Sequence, residues 1–255
     1  MRPFTLHIPT RFVFGWGDLD RIGRETKRIA HKVLIVCSSG SAVRTGTLER
    51  VLKSLSREGI EVDVFDQVTP NPRVSMVNRA GELARDLNVH AVIGLGGGSA
   101  MDSAKGAAIV AANGGSIWDY VHIHRTVNNA LPVIAIPTLS ATGSEGNAYG
   151  VITHDETLQK AGFVCYAARP KVALIDPELT LSVPEDYLKD GAVDIISHAL
   201  EAYFTTRDEA PLNDGLSLLL ARTAAEAIRD ILKLSLIHIS EPTRPLYISY
   251  AVFCL

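Results

Sequence analysis

Short apolar segments rich in β-branched residues alternate with longer amphipathic segments through most of the chain. The apolar segments predict strands at 33–38, 61–66, 91–96, 133–138 and 172–177. The segments with helical spacing are 45–58, 74–87 and 100–112. Alternating strands and helices are typical of βαβ units, so the sequence predicts an α/β fold with a parallel sheet.

The pattern changes towards the end of the chain. Residues 149–172 are hairpin-like, with the polar turn Asp155-Glu156-Thr157 between two apolar runs. Beyond Val183 only helical spacing occurs, at 186–204 and 211–233. We therefore expect an α/β domain over 1–180, followed over 181–233 by the first helices of an all-α domain.

The segment 234–255 reads LSLIHISEPTRPLYISYAVFCL. It resembles the translation of a transposase-type sequencing adapter, with two matches in one frame separated by the space of an index. The alternative is a native C-terminal strand pair. We expect a foreign tail without functional residues, on a chain that is cut off after Lys233.

Composition narrows the class of protein. The 255 residues carry 25 Lys and Arg against 28 Asp and Glu, a net charge of −3, and 47% of them are hydrophobic. Such a chain can bury a core, and without a dense basic run we expect no nucleic acid or membrane partner. No apolar run reaches the ~20 residues of a membrane span. The three cysteines form no close pair, which favours a cytoplasmic location.

A glycine run follows the predicted strand 91–96. In Gly96-Gly97-Gly98-Ser99, the serine comes three residues before Asp102 and six before Lys105. Glycines between a strand and a helix let backbone N–H groups approach a pyrophosphate, and the helix N-terminus favours its charge. The alternative is a simple tight turn.

A hydroxyl-rich loop, Pro137 to Glu145, follows the strand at 133–138. Its Ser, Thr and backbone donors suit phosphate and ribose oxygens at the carboxyl edge of a parallel sheet. A Ser/Thr-rich connector is an equally good interpretation of these residues alone.

Asp194 and His198 lie four residues apart on a predicted helix. This spacing puts a carboxylate and an imidazole on one face, where both can bind a divalent ion. Taken alone, the spacing favours a partly buried histidine that is hydrogen-bonded to a carboxylate, with Glu201 on the adjacent turn.

The order of these motifs resembles a known family. GGGSAMDSAK, PTLSATGSE, DPELTLSVP and GAVDIISHALEAY together are similar to the iron-containing, or group III, alcohol dehydrogenases. The opening FTLHIPTRFVFGWG and the turn Pro70-Asn71-Pro72 are similar to the butanol dehydrogenase and aldehyde reductase branch. The resemblance covers about residues 3–233 and implies a Rossmann-like dinucleotide-binding domain followed by the start of an all-α metal-binding domain.

The resemblance also implies a cofactor site. Gly97, Gly98 and Ser99 would bind the pyrophosphate, and Asp102 would line the nicotinamide side. The remaining residues that match family positions around the cofactor are Thr138, Leu139, Thr142, Asn71, Asn147 and Lys160.

The cofactor preference is expected from the end of the strand at 33–38. NAD-preferring relatives commonly carry an Asp there, whereas this chain has Ser38, Gly40 and Ser41 and no acid between 37 and 41. A carboxylate would repel a 2′-phosphate, and these residues accommodate it. We therefore expect NADP(H) to be preferred over NAD(H).

The resemblance implies one divalent metal, Fe²⁺ or Zn²⁺, held by Asp194 and His198 and by two histidines beyond Lys233. The reaction would be hydride transfer between the nicotinamide cofactor and a small alcohol or aldehyde, with no catalytic protein residue beyond the metal site. We expect a homodimer in the intact parent.

Two other interpretations remain open. A glycerol dehydrogenase-like or dehydroquinate synthase-like enzyme would share the fold and a glycine loop, although the run from Thr142 to Glu145 favours the alcohol dehydrogenases. Alternatively, this chain is a nucleotide-binding fragment without turnover, because two ligands are too few to bind a divalent ion firmly.

Overall fold

The computed structural model describes residues 7–121, 127–205 and 210–237, which group into two compact units. The first unit contains the residues up to Pro137 together with Gly143–Asp176. The second contains Thr138–Thr142 together with the residues from Pro177 onward. The sequence predicts a single boundary near residue 180, whereas this grouping also assigns the short segment 138–142 to the second unit. Most of the predicted foreign tail, 238–255, lies outside the described residues.

The first unit is built on strands that the apolar runs predict, with one addition. The strands in the described residues are β1 (Arg11–Phe14), β2 (Lys32–Cys37), β3 (Glu61–Phe65), β4 (Ala91–Gly96), β5 (Val133–Pro137), β6 (Tyr149–Thr153), β7 (Lys160–Val164) and β8 (Val172–Ile175). β2, β4 and β5 are buried along almost their whole length, which explains their continuous apolar sequences. β1 was not predicted.

Within the described residues, six strands form one parallel sheet in the order β1-β8-β5-β4-β2-β3. The chain places β3 on one side of β2 and then returns to place β4 on the other side. The strand order therefore reverses between β2 and β4. In open α/β sheets, ligands bind beyond the carboxyl ends of the strands at such a reversal.

The helices in the described residues are α1 (Ile22–Lys27), α2 (Ser41–Arg44), α3 (Thr47–Arg57), α4 (Val74–Asp86), α5 (Gly98–Asn113), α6 (Glu185–Thr205) and α7 (Pro211–Ile237). The helix predicted over 45–58 is α3, and the four-residue α2 that precedes it was not predicted. Short 3-10 helices occupy Asp18–Arg21, Ile117–Tyr120, Tyr166–Ala168 and Pro177–Ser182. None of the described helices is long and apolar enough to cross a membrane.

The core of the first unit lies between the sheet and its helices. Leu34, Val36 and Val92 share one buried cluster with residues of α4 and α5. The small side chains of α5, such as Ala104 and Ala107, let it pack closely on β4. The predicted hairpin is confirmed: β6 and β7 pair antiparallel, from Tyr149↔Val164 to Thr153↔Lys160.

Among the described residues, the second unit contains the segment 138–142, the 3-10 helix Pro177–Ser182 and the two long helices. α6 and α7 pack against each other, with Ala192 and Ala227 in a buried cluster. The segment lies against α6 at Gly191, where an added Cβ would be 2.8 Å from the Ser140 carbonyl oxygen. A side chain at this position would collide with the backbone of the segment, so glycine permits the close approach.

Candidate functional site

The glycine motif lies where β4 ends and α5 begins. Gly96 has a φ of 141°, which residues with a side chain rarely adopt, and an added Cβ would lie 3.0 Å from the Ala100 methyl group. Gly97 is the extended N-cap, so Gly98 and Ser99 are the first residues of a 16-residue helix. The predicted helix began two residues later.

The N-terminus of α5 fits a phosphate group. Its first turn contains no Asp or Glu, and its N-cap residue, Gly97, has no side chain that could cap the helix. The N–H groups of a first helical turn and the helix dipole both favour an anion. Because α5 follows β4 at the reversal in strand order, this helix end is at the edge where a dinucleotide binds in such folds.

The loop after β2 lies at the same edge. β2 and β4 are adjacent, with Cys37 in register with Leu95, so the residues after Cys37 emerge beside the glycine motif. The hydroxyl oxygens of Ser38 and Ser41 are 3.5 Å apart. A Cβ added to Gly40 would meet nothing within 4 Å, which leaves space beside this loop.

An acidic residue outside the predicted site, Asp66, lies near this loop. Asp66 directly follows β3, and the next residue, Gln67, forms an isolated bridge with Ser38. Burial and, secondly, the charge of Asp66 raise the pKa of the Cys37 thiol to about 11. Cys37 therefore stays protonated and unreactive at neutral pH.

A network of polar side chains joins α5 to the segment between β5 and β6. Lys105 is completely buried, and its Nζ donates to Ser144 Oγ at 2.8 Å, Asn147 Oδ1 at 3.0 Å and the Tyr149 carbonyl at 2.7 Å. An ammonium group has three donors, and all three are used. The nearest carboxylate oxygen, Asp102 Oδ1, lies 4.0 Å from Nζ.

Asp102 belongs to the same network. Its Oδ1 accepts a hydrogen bond from Ser144 Oγ at 2.7 Å, and its Oδ2 accepts one from the Val151 backbone N–H at 3.0 Å. Burial raises the pKa of Asp102, against the opposing effects of Lys105, Ser144, Val151 and Lys160. The predicted cofactor residue Asp102 is thus oriented by two fixed donors.

The structure also brings together two predicted residues that are distant in sequence. Lys160 Nζ on β7 donates to Asn71 Oδ1 at 3.3 Å. Asn71 has a φ of 55°, in the left-handed region that Asn tolerates better than most residues. The Thr153 N–H donates to the Pro72 carbonyl at 2.8 Å, so the hairpin holds the turn that carries Asn71.

Thr138, Leu139 and Thr142 are found in the second unit. Leu139 Cδ1 would lie 3.6 Å from a Cβ added to Gly191. Thr142 is exposed, whereas Ser140 between them is buried and its hydroxyl has no hydrogen-bond partner among the described residues. This segment comes directly after Pro137, the last residue of β5.

Asp194 and His198 share one face of α6, as their spacing predicts. His198 Nε2 is 3.6 Å from Asp194 Oδ1, and Glu201 Oε2 is 3.8 Å from the other ring nitrogen. A separation of 3.6 Å is too long for a hydrogen bond. It is close to the roughly 3.4 Å expected for two ligands about 2.1 Å from one tetrahedral ion. The pair therefore fits part of a metal site.

The described residues do not complete that site. No group of three or more His, Cys, Asp or Glu side chains in 7–121, 127–205 and 210–237 is arranged to hold a metal ion. Both side chains are substantially exposed, at 57% for His198 and 44% for Asp194. The pair is open to further ligands from elsewhere.

Sequence reasoning missed the central role of Lys105 and Ser144 in the polar network. Each occurs within one of the two motifs, but the two residues are 39 positions apart in sequence and only the fold brings them into contact. One signal was available in the sequence. Lys105 lies among the small residues of a helix that packs against the sheet, so its side chain is expected to be buried and therefore to need partners.

The amino-acid sequence was compared with protein families and with known proteins. Residues 9–177 match the family described as iron-containing alcohol dehydrogenase. NADH-dependent butanol dehydrogenase A of Clostridium acetobutylicum is 38% identical over 223 residues, which are 88% of this chain and 57% of that protein. The chain thus spans little more than half the length of this relative.

The structure is also similar to solved structures of dehydrogenases and reductases. NADH-dependent butanol dehydrogenase A from Thermotoga maritima has a TM-score of 0.89 at 36% identity, covering 98% of this chain and 60% of that one. Sulfoacetaldehyde reductase from Bifidobacterium kashiwanohense, solved in complex with NAD+, has a TM-score of 0.80 at 29% identity, covering 100% and 65%. With a family match over more than half of its residues and a 38% identical relative, this chain belongs to the iron-containing alcohol dehydrogenase family.

Proposed function

We propose that the chain carries the cofactor site of a metal-dependent alcohol dehydrogenase or aldehyde reductase, which transfers hydride between a nicotinamide cofactor and a small alcohol or aldehyde. The observation that carries the proposal is the arrangement of the glycine motif and the Ser38–Ser41 loop at the carboxyl ends of β2 and β4. The names of the relatives, which include butanol dehydrogenases and a reductase holding NAD+, support this reaction.

The residues of this chain would divide the cofactor between them. The N-terminus of α5 would bind the pyrophosphate, because its N–H groups and dipole favour an anion. The loop after β2 would bind the adenosine ribose, and the polar residues near Asp102 would bind the nicotinamide half. The full set is Ser38, Gly40, Ser41, Asn71, Gly97, Gly98, Ser99, Asp102, Thr138, Leu139, Thr142, Asn147 and Lys160.

The preference between NADPH and NADH is the finer part of the proposal. The hydroxyls of Ser38 and Ser41 and the open space at Gly40 support acceptance of a 2′-phosphate. Two observations favour NADH: two relatives are named NADH-dependent, and the Asp66 carboxylate lies near the same loop. NADPH preference stays our prediction from the loop residues, and a clear preference for NADH in cofactor titrations would overturn it.

Asp194 and His198 would hold one divalent metal, Fe²⁺ or Zn²⁺, together with ligands that the described residues do not provide. Carboxylate oxygen and imidazole nitrogen are donors that suit both ions. When bound, such an ion polarises a carbonyl group as a Lewis acid. The pair on α6 would fix where that ion lies relative to the helix.

We also propose a compartment, an oligomeric state and a substrate class for the protein. Cys37 and Cys165 are both free and buried, which supports a reducing compartment such as the cytoplasm. We propose that the protein is a homodimer and that its substrate is a small alcohol or aldehyde. Neither nucleic acid nor a membrane is proposed as a partner.

A second candidate function is nucleotide binding without turnover by the chain as it stands. The observation that favours it is the pair of metal donors, since divalent sites usually supply three or four protein ligands. This candidate predicts that the 255-residue chain binds the cofactor and gives no metal-dependent aldehyde reduction. Measurable turnover with added Fe²⁺ or Zn²⁺ would refute it.

The proposed cofactor site is tested by Ser99→Asp. A carboxylate in the first turn of α5 suits the helix dipole but repels the pyrophosphate, so the fold should survive while affinity falls about 100-fold or more. The measurement is the fluorescence of NADH and NADPH on titration with protein. Leu212→Asp, at the second residue of α7, is the matched control because it adds the same charge to a different helix start.

Equal cofactor affinity for the Ser99→Asp and Leu212→Asp variants would contradict the proposed site. Circular dichroism of both variants shows whether the helices are retained, so that a loss of binding is not mistaken for a loss of fold.

A further inference from the structure

Lys105 is among the largest fully buried side chains of the described residues, and the proposed function gives it no role. Burial of a cation is costly unless its donors are satisfied. Here every donor of Nζ is used, and all three acceptors lie between residues 144 and 149. One side chain of α5 therefore fixes three points of the segment that connects β5 and β6.

Lys105 also determines the direction of a second hydrogen bond. An ammonium group can only donate, so Ser144 Oγ must accept from Nζ and direct its own proton elsewhere. That proton goes to Asp102 Oδ1, at 2.7 Å. Because Ser144 donates, Asp102 acts as an acceptor on this oxygen, and the Val151 N–H donates to the other.

The charges around the network come from several elements. Asp102 on α5 and Glu145 of the connecting segment attract Lys105, whereas Arg169, after the 3-10 helix Tyr166–Ala168, repels it. The charge of Lys160 on β7 lowers the pKa of Asp102. Burial is the largest influence and lowers the pKa of Lys105 to about 8, and burial likewise raises the pKa of Glu145. The ammonium form therefore predominates in the folded protein only below about pH 8.

We propose that Lys105 is a positioning residue for the nicotinamide cofactor: its buried ammonium group holds residues 143–151 on α5 and, through Ser144, orients the Asp102 carboxylate. The inference rests on the proposed function, in which Asp102 and Asn147 are cofactor residues. Lys105 itself is completely buried, so it acts through these neighbours.

The first test is Lys105→Met, which keeps a long unbranched side chain and removes the three donors. We expect the Kd to rise about tenfold or more at pH 7, because buried acceptors lose their partner. The Kd is measured for whichever of NADH and NADPH binds the unsubstituted chain more tightly. Lys53→Met is the matched control, since Lys53 is an exposed residue of α3. It should bind the cofactor as the unsubstituted chain does.

The second test is the pH dependence of cofactor binding. Above about pH 8 the neutral amine has one donor fewer, so one of its three acceptors is released. The Kd of the unsubstituted chain should rise several-fold between about pH 7 and pH 9.5. With Lys105→Met the profile should be flat, and with Lys105→Arg, which stays charged, it should be flat at an intermediate affinity.

A third measurement does not depend on the cofactor. Amide hydrogen exchange of residues 143–151 should accelerate in Lys105→Met, while β2 and β4 keep their protection. It also detects a variant that fails to fold, since protection would then be lost in β2 and β4 as well. Lys105→Arg and the pH profile of the unsubstituted chain would then decide the proposal.

The results distinguish the positioning role of Lys105 from the proposed cofactor site itself. Unchanged Kd and pH profile in Lys105→Met would overturn the positioning role alone, and so would faster exchange in 143–151 without any change in Kd. Absence of NADH and NADPH binding by the unsubstituted chain would overturn the proposed function and the positioning role with it.

Discussion

Ser140 carries a buried hydroxyl group without a hydrogen-bond partner in the part of the chain that the structure describes. Its side chain is buried, and Oγ has no hydrogen bond among the described residues. A buried hydroxyl without a partner loses its hydration and gains nothing in return. Ser140 is therefore a position where the polar atom opposes folding.

Ser140→Ala should leave the free energy of unfolding unchanged or raise it by about 1 kcal/mol. Denaturant unfolding followed by circular dichroism measures the difference. Thr180→Val is the control, because Thr180 Oγ1 donates to the Pro177 carbonyl at 2.8 Å and its removal should lower stability by about 1 kcal/mol. A marked loss of stability in Ser140→Ala would show that the hydroxyl has a partner.

For individual site residues, the sequence predicts the members of the motifs but not the side chains that they contact. Gly97, Gly98 and Ser99 are recognisable because a glycine run after a strand has a local physical meaning. Lys105 has no such local signature, since its role depends on acceptors that arrive 39 to 44 residues later. A lysine is also expected to be exposed unless something pairs with it.

Among the contacts between elements, that of the segment 138–142 with α6 requires glycine at position 191. An added Cβ at Gly191 would lie 2.8 Å from the Ser140 carbonyl oxygen. Backbone atoms of this kind move only together with their segment. The position of the segment and the identity of residue 191 are therefore coupled.

Gly191→Ala should lower the free energy of unfolding by about 1–3 kcal/mol, since the steric strain exceeds the gain in helix propensity. Gly215→Ala is the matched control, because Gly215 lies in α7 and an added Cβ would meet nothing within 4 Å. That variant should be more stable by up to about 1 kcal/mol. Thermal unfolding of the two variants compares them directly, and equal stability would contradict the close contact.

The elements themselves were largely predictable, because a strand buried on both faces must be apolar throughout. β2, β4 and β5 follow this rule, and the structure confirms them. β1 was missed because it has only four residues, of which Val13 alone is buried. Its strand character comes from pairing with β8, which no local pattern reveals.

At the scale of the whole molecule, burial of ionisable groups makes stability depend on pH. The pKa of Lys105 falls from 10.5 to about 8 on folding, so between these values the unfolded chain binds more protons than the folded one. Stability contributed by Lys105 therefore rises with pH across this window. Asp102 and Glu145 act oppositely: their raised pKa values make stability fall as pH rises above their ordinary values of 3.8 and 4.5.

We expect the free energy of unfolding of the unsubstituted chain to gain up to about 3 kcal/mol relative to Lys105→Met between pH 8 and 10.5. Denaturant unfolding at several pH values measures this difference, and Lys53→Met should show none of it. A constant difference between the unsubstituted chain and Lys105→Met would mean that Lys105 has an ordinary pKa in the folded state.

The pairing of β1 with β8 affects how the chain folds during synthesis on the ribosome. Arg11 is in register with Val172, so about 160 further residues are synthesised after β1 before its partner strand exists. At about 5–20 residues per second, this delay lasts roughly 10 to 30 seconds. During that time β1 is an unpaired strand with apolar residues, and chaperones or a neighbouring nascent chain can bind it before β8 does.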